Sequence, residues 1–285
     1  MISETIRRRY LPALSEAELT ALAARPDALV ILPLGAIEQH GPHLPVGTDS
    51  LIGSILLDGI TAALGPDEPV AIAPPVVVTK SNEHLDFPGT LSISRCLLVE
   101  TIRGTLDQLR EWGFSRVAIL NTHGGNLPTV RAFLAERRAA GGIGFQPVLE
   151  GGHLACPTPY DQAGSPIPMT AETAVLLNPI PATEMDAREQ TFGIHAGEYE
   201  SSLLYAHVPD LCRPELADTQ WIDRDLDGAD LRPEDAPAVF TWVSADISPS
   251  GTMGDATRAT PEKGREWTRR AVEQLVVEIR HLMTS

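Results

Sequence analysis

The sequence predicts an α/β fold with a mainly parallel central sheet and helices over both of its faces. Two observations carry that expectation. Short apolar runs of strand length alternate along the chain with stretches of helical periodicity. At 116 to 138, moreover, a strand, a glycine turn and a helical pattern follow one another directly, which is the unit of a parallel sheet.

In chain order, Ala28-Leu29-Val30-Ile31-Leu32-Pro33-Leu34 reads as a buried parallel strand that ends at a loop carrying Glu38 and His40. Ser50-Leu51-Ile52-Gly53-Ser54-Ile55-Leu56-Leu57 suggests a helix, and Val70-Ala71-Ile72-Ala73 a second strand. From Ser94 through Trp112 the residues Leu97, Leu98, Thr101, Ile102, Thr105, Leu106 and Leu109 recur at helical spacing until Gly113 stops the pattern. Arg116-Val117-Ala118-Ile119-Leu120 is a third strand, and Leu127 to about Arg138 a further helix. Phe145-Gln146-Pro147-Val148-Leu149 is a candidate fourth strand. Thr260 as cap and Pro261 at the first helical position open a last long helix. Residues 151 to 192 and 209 to 256, rich in Pro, Gly, Asp and Thr, read as long loops and short elements.

A chain of 285 residues can bury a substantial core, and neither an internal repeat nor a low-complexity linker divides it, so one domain spanning 1 to 285 is expected. With 43% hydrophobic and 21% charged residues the composition is that of an ordinary globular protein. The 22 Lys and Arg against 38 Asp and Glu give a formal charge of -16, which disfavours nucleic acid and anionic membrane as partners. No run is long enough to span a bilayer, and the N-terminus lacks the apolar stretch of a signal sequence. Cys96, Cys156 and Cys212 are widely spaced and offer no disulfide framework, which suits a reducing compartment. A cytoplasmic location is the expectation.

Three segments carry candidate chemistry. In Gly35-Ala36-Ile37-Glu38-Gln39-His40-Gly41-Pro42-His43-Leu44-Pro45-Val46-Gly47-Thr48-Asp49, Glu38 and His40 are two apart, so in extended backbone both side chains leave on one side. Asp49 can return from the far end of the loop. Carboxylates with imidazoles suit zinc, manganese or iron, and a carboxylate can bridge a metal pair. Taken alone, the same residues also read as a surface acid, loop histidines and a helix cap. The second segment, Asn121-Thr122-His123-Gly124-Gly125-Asn126, lies just past a strand, where open α/β sheets bind ligands. Its glycines allow a tight turn and close backbone approach; alone, they also read as nothing more than a turn. The third, His195-Ala196-Gly197-Glu198-Tyr199-Glu200-Ser201-Ser202, opens a helix and adds a histidine and two acids, of which Glu198 also reads as an ordinary first-turn acid.

Together these segments resemble the creatininase (creatinine amidohydrolase) family, with Phe87-Pro88-Gly89-Thr90 and Gly251-Thr252-Met253-Gly254-Asp255 as further matches. The resemblance runs from about residue 28 to the C-terminal helix. It implies a three-layer αβα sandwich and two divalent ions, zinc, manganese or iron. One ion is implied at Glu38 and His123, the other at His40, with Asp49 bridging both. In creatinine-cleaving members a glutamate two residues after the matching histidine also binds the second metal; here that position is Gly125. Members with Gly-Gly at this turn take that ligand from the position of Glu200. His195 matches the family's histidine near the substrate, and His43 matches no ligand position.

The expected reaction is hydrolysis of a C–N bond in a small amide, lactam or formamide by a water bridging the two ions. His195 would carry a proton to the departing nitrogen. Backbone amides around Gly124 and Gly125 would help hold the oxyanion, and Ser81, Glu83 and His84 would line the substrate pocket. Alternatives are C–C cleavage of a cyclic ketone such as an oxidised inositol, and peptide trimming in cofactor biosynthesis. A non-catalytic metal-binding protein is disfavoured. The resemblance also implies a homo-oligomer, often a hexamer.

Overall fold

The structure, a computed structural model, describes residues 4–139, 149–150, 153–154, 173–177, 185–221 and 242–284. Helix α1 (Glu4–Arg7) and helix α2 (Glu16–Ala23) precede the first strand. Ser15 caps α2: its hydroxyl accepts from the Glu18 amide, while the Glu18 carboxylate accepts from the Ser15 amide. Strand β1 (Leu29–Leu34) is buried at every position, as its unbroken apolar run requires. Helix α3 (Thr48–Ala63), strand β2 (Val70–Ile72), helix α4 (Arg95–Glu111), strand β3 (Arg116–Asn121) and helix α5 (Leu127–Ala139) follow.

Beyond them lie strands β4 (Leu149–Glu150), β5 (His153–Leu154) and β6 (Thr173–Leu177), then helices α6 (Ala187–Phe192) and α7 (Glu198–His207). Strand β7 (Thr219–Gln220), helix α8 (Ser244–Ile247), strand β8 (Gly254–Asp255) and helix α9 (Pro261–Thr284) complete the described elements. Ser94 caps α4 by accepting from the Leu97 amide at 3.2 Å, and Gly113, at φ +105, ends the pattern that begins there. Thr260 caps α9 through the Lys263 amide at 3.3 Å.

The central sheet has the order β2-β1-β3-β6 and every pairing in it is parallel. Successive residues of β1 face opposite sides, and this alternation makes the layers. Leu29 and Ile31 join Leu56 and Ile60 of α3, Leu203 and Leu204 of α7, and Trp267 and Ile279 of α9. Val30, Leu32 and Leu34 join Leu98, Ile102 and Leu106 of α4 and Val130 and Phe133 of α5, with Leu19 and Leu22 of α2 alongside. The result is an αβα sandwich.

Three readings are corrected. The fourth strand of the sheet is β6, one of the short elements expected between 151 and 192; residues 145 to 148 of the expected strand lie outside the described residues, and Leu149 belongs to the antiparallel pair β4-β5. Helix α3 starts at Thr48 with Gly47 at its cap position, so Asp49 lies in the first turn and caps nothing. Cys96 is disulfide-bonded, so the cysteines no longer argue for a reducing compartment; Cys212 is free and buried. Among the described residues no helix is long and apolar enough to cross a membrane.

The strand order also decides where a site can form. The chain leaves β1 toward β2 and leaves β3 toward β6, which lie on opposite sides of the β1-β3 pair. Leu34 is in register with Asn121 there, so the loop after β1 and the turn after β3 start side by side over the carboxyl ends of two adjacent strands. That crevice is where open α/β sheets bind ligands.

Candidate metal centre

Hydrogen bonds tie the two segments together at this crevice. Thr122 donates from its hydroxyl to the Asp49 carbonyl at 2.7 Å, and Ser50 donates to the Ala36 carbonyl at 2.9 Å. A Cβ at Gly35 would run into Ser50, so the residue after β1 must be glycine for α3 to come this close. Asn121 and Asn126 fix the turn: the amide of Asn121 donates to the His123 carbonyl at 2.8 Å, and that of Asn126 donates to the Gly35 carbonyl at 3.2 Å. Thr90, from the Phe-Pro-Gly-Thr segment, accepts the Gln39 amide at 3.1 Å and holds the Glu-x-His loop from outside.

These ties bring the carboxylates and imidazoles together in two groups that share one residue. Glu38, Asp49 and His123 offer ligand atoms within 4.8 Å of one another, and so do His40, Asp49 and Glu200. The shared Asp49 uses both oxygens: Oδ1 lies 3.5 Å from His40 Nε2 and Oδ2 lies 3.5 Å from His123 Nδ1. His123 Nδ1 is 3.2 Å from Glu38 Oε1, and His40 Nε2 is 3.8 Å from Glu200 Oε2. The outer nitrogen of each ring is held by backbone. His40 Nδ1 meets the Glu38 carbonyl at 3.1 Å, and His123 Nε2 meets the Lys80 carbonyl at 3.0 Å. A backbone acceptor behind each imidazole fixes the tautomer whose lone pair faces the centre.

Several inward atoms have no other task. Glu38 Oε2, His40 Nε2 and Asp49 Oδ2 are buried without a hydrogen-bond partner, whereas most buried polar atoms of folded proteins have one. Divalent cations would satisfy all three, so the donor set fits the implied metals. Without them the cluster is held by protons. Burial works against charge on His40 and His123, but the carboxylates of Asp49, Glu38 and, for His40, Glu200 outweigh it; His40 is raised to about 10 and His123 to about 9. Burial lifts Glu200 to about 7 despite His40, whereas the neighbouring histidines hold Glu38 well below the usual carboxylate range.

His195 completes the floor. Burial, then the charge of His40 and His84, pushes it well below its ordinary value, so it is neutral. Its Nε2 donates to the Gln39 carbonyl at 2.6 Å, which leaves the Nδ1 lone pair 3.6 Å from Glu38 Oε1. It also forms a third group of ligand atoms with Glu38 and His40. His84 stacks on it at 4.2 Å between ring centres, with Nε2 3.6 Å from Glu38 Oε1 and Nδ1 2.7 Å from Ser244 Oγ.

The segment that delivers His195 and Glu200 is set by a buried acid that the sequence reading passed over. The Glu189 carboxylate accepts the Glu198 amide at 2.7 Å and the Asp255 amide at 2.8 Å, and burial raises its pKa. A Cβ at Gly193, Gly197 or Gly254 would overlap it or crowd it below 3 Å. Between them Ala196 takes φ 53, a left-handed conformation that a non-glycine residue adopts only when its surroundings enforce it, and its amide donates to Glu200 Oε2 at 2.6 Å. Strand pairing between His195 and Met253 closes the segment.

The remaining expected residues fall in different places. Ser81 Oγ lies 3.3 Å from His123 Nε2, behind that ring rather than in open space. Glu83 pairs with Lys80 at 3.2 Å and has Oε1 3.9 Å from His123 Nε2. Neither Gly124 nor Gly125 has positive φ, so the turn does not need them for that reason. Gly124 faces open space, while a Cβ at Gly125 would overlap Glu83 Oε1. His43 stands apart, with Nε2 2.8 Å from Ser201 Oγ. Glu198 is buried in an ion pair with Lys263 rather than a free first-turn acid. Gln39 carries no signal in the sequence because alternation turns it away from Glu38 and His40; its side-chain amide donates to His84 Nδ1 and to the Gly251 carbonyl.

A sequence profile described as creatininase, creatinine amidohydrolase, matches residues 13–279. The chain belongs to the creatininase family. It is 30% identical over 242 residues to the mycofactocin precursor peptide peptidase of Mycolicibacterium smegmatis, covering 83% of this chain and 78% of that one. To the creatinine amidohydrolase of Pseudomonas putida it is 27% identical over 267 residues, 90% of each chain. A solved zinc–zinc form of a mutant creatininase superposes with a TM-score of 0.68 at 23% identity, covering 95% of this chain and 97% of that one, which shows the fold. As a member of the creatininase family the protein is a metal-dependent hydrolase.

Proposed function

We propose that this chain is a dimetal hydrolase that cleaves a C–N bond of a small amide, lactam or formamide. Glu38, His123 and Asp49 hold one divalent ion and His40, Glu200 and Asp49 the other. The observation that carries this reading is the pair of ligand groups sharing Asp49, with both of its oxygens engaged in opposite directions. When bound, two such ions supply a water activated near neutral pH and an electrophile for the carbonyl.

The chain's own residues do the rest. His195, neutral and with Nδ1 unprotonated, takes the proton released as water attacks and returns it to the departing nitrogen. The Gln39 carbonyl keeps that ring in the tautomer the transfer requires. The amides of Gly124 and Gly125 donate to the developing oxyanion in this reading.

A second reading, trimming of a peptide, is favoured by the 30% identity to a peptide peptidase. One experiment tests both readings: elemental analysis of purified protein beside turnover of a panel of lactams, formamides, cyclic ketones and peptides. About two divalent ions per chain and release of an amine are expected. Fewer than one ion per chain, or cleavage only of cyclic ketones, would overturn the assignment. The same assay on His195→Ala should find both ions and turnover slowed by about 10²- to 10⁴-fold; loss of an ion would make His195 a ligand instead.

A further inference from the structure

His84 faces the centre, yet it belongs to none of the three groups of ligand atoms. It ends the 3₁₀ turn Asn82–His84, with 5% of its side chain exposed and its ring stacked on His195 at a tilt of 30°. Its Nε2 lies 3.6 Å from Glu38 Oε1, the same oxygen that His195 Nδ1 meets at 3.6 Å. Two neighbouring rings thus aim one nitrogen each at one point.

Gln39 decides what each of those nitrogens carries. The orientation of its side-chain amide is set by its own bonds: Oε1 accepts the Gly41 amide at 2.9 Å, and Nε2 donates to the Gly251 carbonyl at 3.1 Å. That same Nε2 lies 2.9 Å from His84 Nδ1, where Ser244 Oγ also arrives at 2.7 Å. An amide nitrogen only donates, so His84 Nδ1 carries no hydrogen and the ring's hydrogen is on Nε2. His195 is turned the other way, with Nε2–H on the Gln39 carbonyl and a bare Nδ1 toward Glu38. One residue therefore sets a base and a donor side by side, the first through its backbone and the second through its side chain.

An N–H is no metal ligand, so His84 faces the centre without joining it. The Glu38 carboxylate is too far for a hydrogen bond, and no other acceptor meets His84 Nε2 among the described residues. A nearly buried donor without an acceptor is costly, and a ligand that accepts from it removes that cost. Amide hydrolysis creates such an acceptor. Water adds to the carbonyl carbon, the π pair moves onto the carbonyl oxygen, and that pair returns as the C–N bond breaks and the nitrogen leaves with the proton carried by His195. The hydrogen of His84 stays on Nε2 throughout. We propose that His84 is a further catalytic residue, whose Nε2–H hydrogen-bonds the substrate's carbonyl oxygen as it becomes an oxyanion beside the lone pair of His195. This rests on the hydrolytic two-metal reading of the centre.

The test keeps the two apart. Zinc-loaded protein is titrated calorimetrically with acetohydroxamate, a chelator whose charged oxygen stands in for the oxyanion. His84→Phe keeps a ring against His195 and removes the N–H, whereas His84→Gln places an amide N–H near the position of Nε2. The wild-type protein should bind at least about tenfold more tightly than H84F, and H84Q should return to within about threefold, with equal zinc content in all three. A ring that served packing alone would give the reverse order. NMR of the wild-type protein with isotope-labelled histidine decides the matter if a variant fails to fold. There His84, assigned by its contact with the Gln39 amide, should carry its hydrogen on Nε2, and that signal should move downfield on adding acetohydroxamate. H84F binding as tightly as wild type, a hydrogen on Nδ1, or an Nε2–H signal unmoved by the hydroxamate overturns the proposal and leaves the metal reading standing. If the wild-type protein retains no zinc or binds no acetohydroxamate, the two-metal reading falls and this proposal with it.

Discussion

The two halves of the centre are held by different kinds of structure. Glu38, Asp49 and His123 follow directly from the sheet: β1 and β3 are adjacent, in register from Val30↔Val117 to Leu34↔Asn121, and their carboxyl ends deliver these residues side by side. His40 shares that loop, and its partners come from the segment around α7: Glu200 lies on a helix whose Leu203 and Leu204 pack into the core, while His195 just before it is fixed by Glu189, Ala196 at φ 53 and the bridge to Met253. The first half is a by-product of forming the core. The second needs, besides the core contacts of α7, the Glu189-anchored turn that precedes it, and it carries the histidine proposed to transfer the proton.

The largest effect should come from the residue common to both halves. Asp49→Ala should abolish turnover and lower bound metal toward one equivalent or none, because its two oxygens face the two positions separately. Full activity with two ions, read by elemental analysis, would end the two-metal assignment. A narrower change should separate the halves. Glu189→Ala strands two buried amides and is expected to cost about 2 to 4 kcal/mol of stability. It should also weaken the ion at His40 and Glu200 while the ion at Glu38 and His123 stays. If both ions leave together at the same chelator concentration, the halves are not independent.

Acidification should show the same asymmetry more gently. Metal must displace a proton from His123, held at about 9, at the first position, and from His40, held at about 10, at the second. Both are protonated at neutral pH in the metal-free protein, so affinity at each position should fall about tenfold per unit of pH lowered. Glu200, raised to about 7, adds a second proton at its position once the pH drops below 7. There the slope should steepen toward about a hundredfold per unit, and the His40–Glu200 ion should be lost first. Competition with a chelator at pH 6, 7 and 8 measures both slopes; parallel curves would remove the distinction.

The same division explains what could be read from the sequence. Local signals sufficed for β1, β2, β3, α4, α5 and α9, whose apolar period and caps are intrinsic to each segment. Strand β6 could not be singled out because Thr173–Leu177 is a short apolar run amid residues rich in Pro, Gly and Thr, and only its pairing with β3 makes it a strand. Glu38, His40, Asp49 and His123 announce themselves by residue type and position after strands. Glu189 does not: an acid in a short helix reads as solvated surface, and its burial depends on glycines at 193, 197 and 254 that meet only in the fold. Gly125 had an equally hidden reason, since the sequence suggests a tight turn and the structure shows a neighbour's carboxylate.

The Glu189 pocket has a consequence for how this protein can change over generations. Any one of Gly193, Gly197 and Gly254 that acquires a side chain collides with the carboxylate or crowds it, and a lost carboxylate strands the Glu198 and Asp255 amides. These four positions should therefore be inherited as a block, and lineages that depart from it should depart at several positions at once. The metal ligands need no such company, so among descendants that have abandoned catalysis the ligands should drift one by one while this quartet persists.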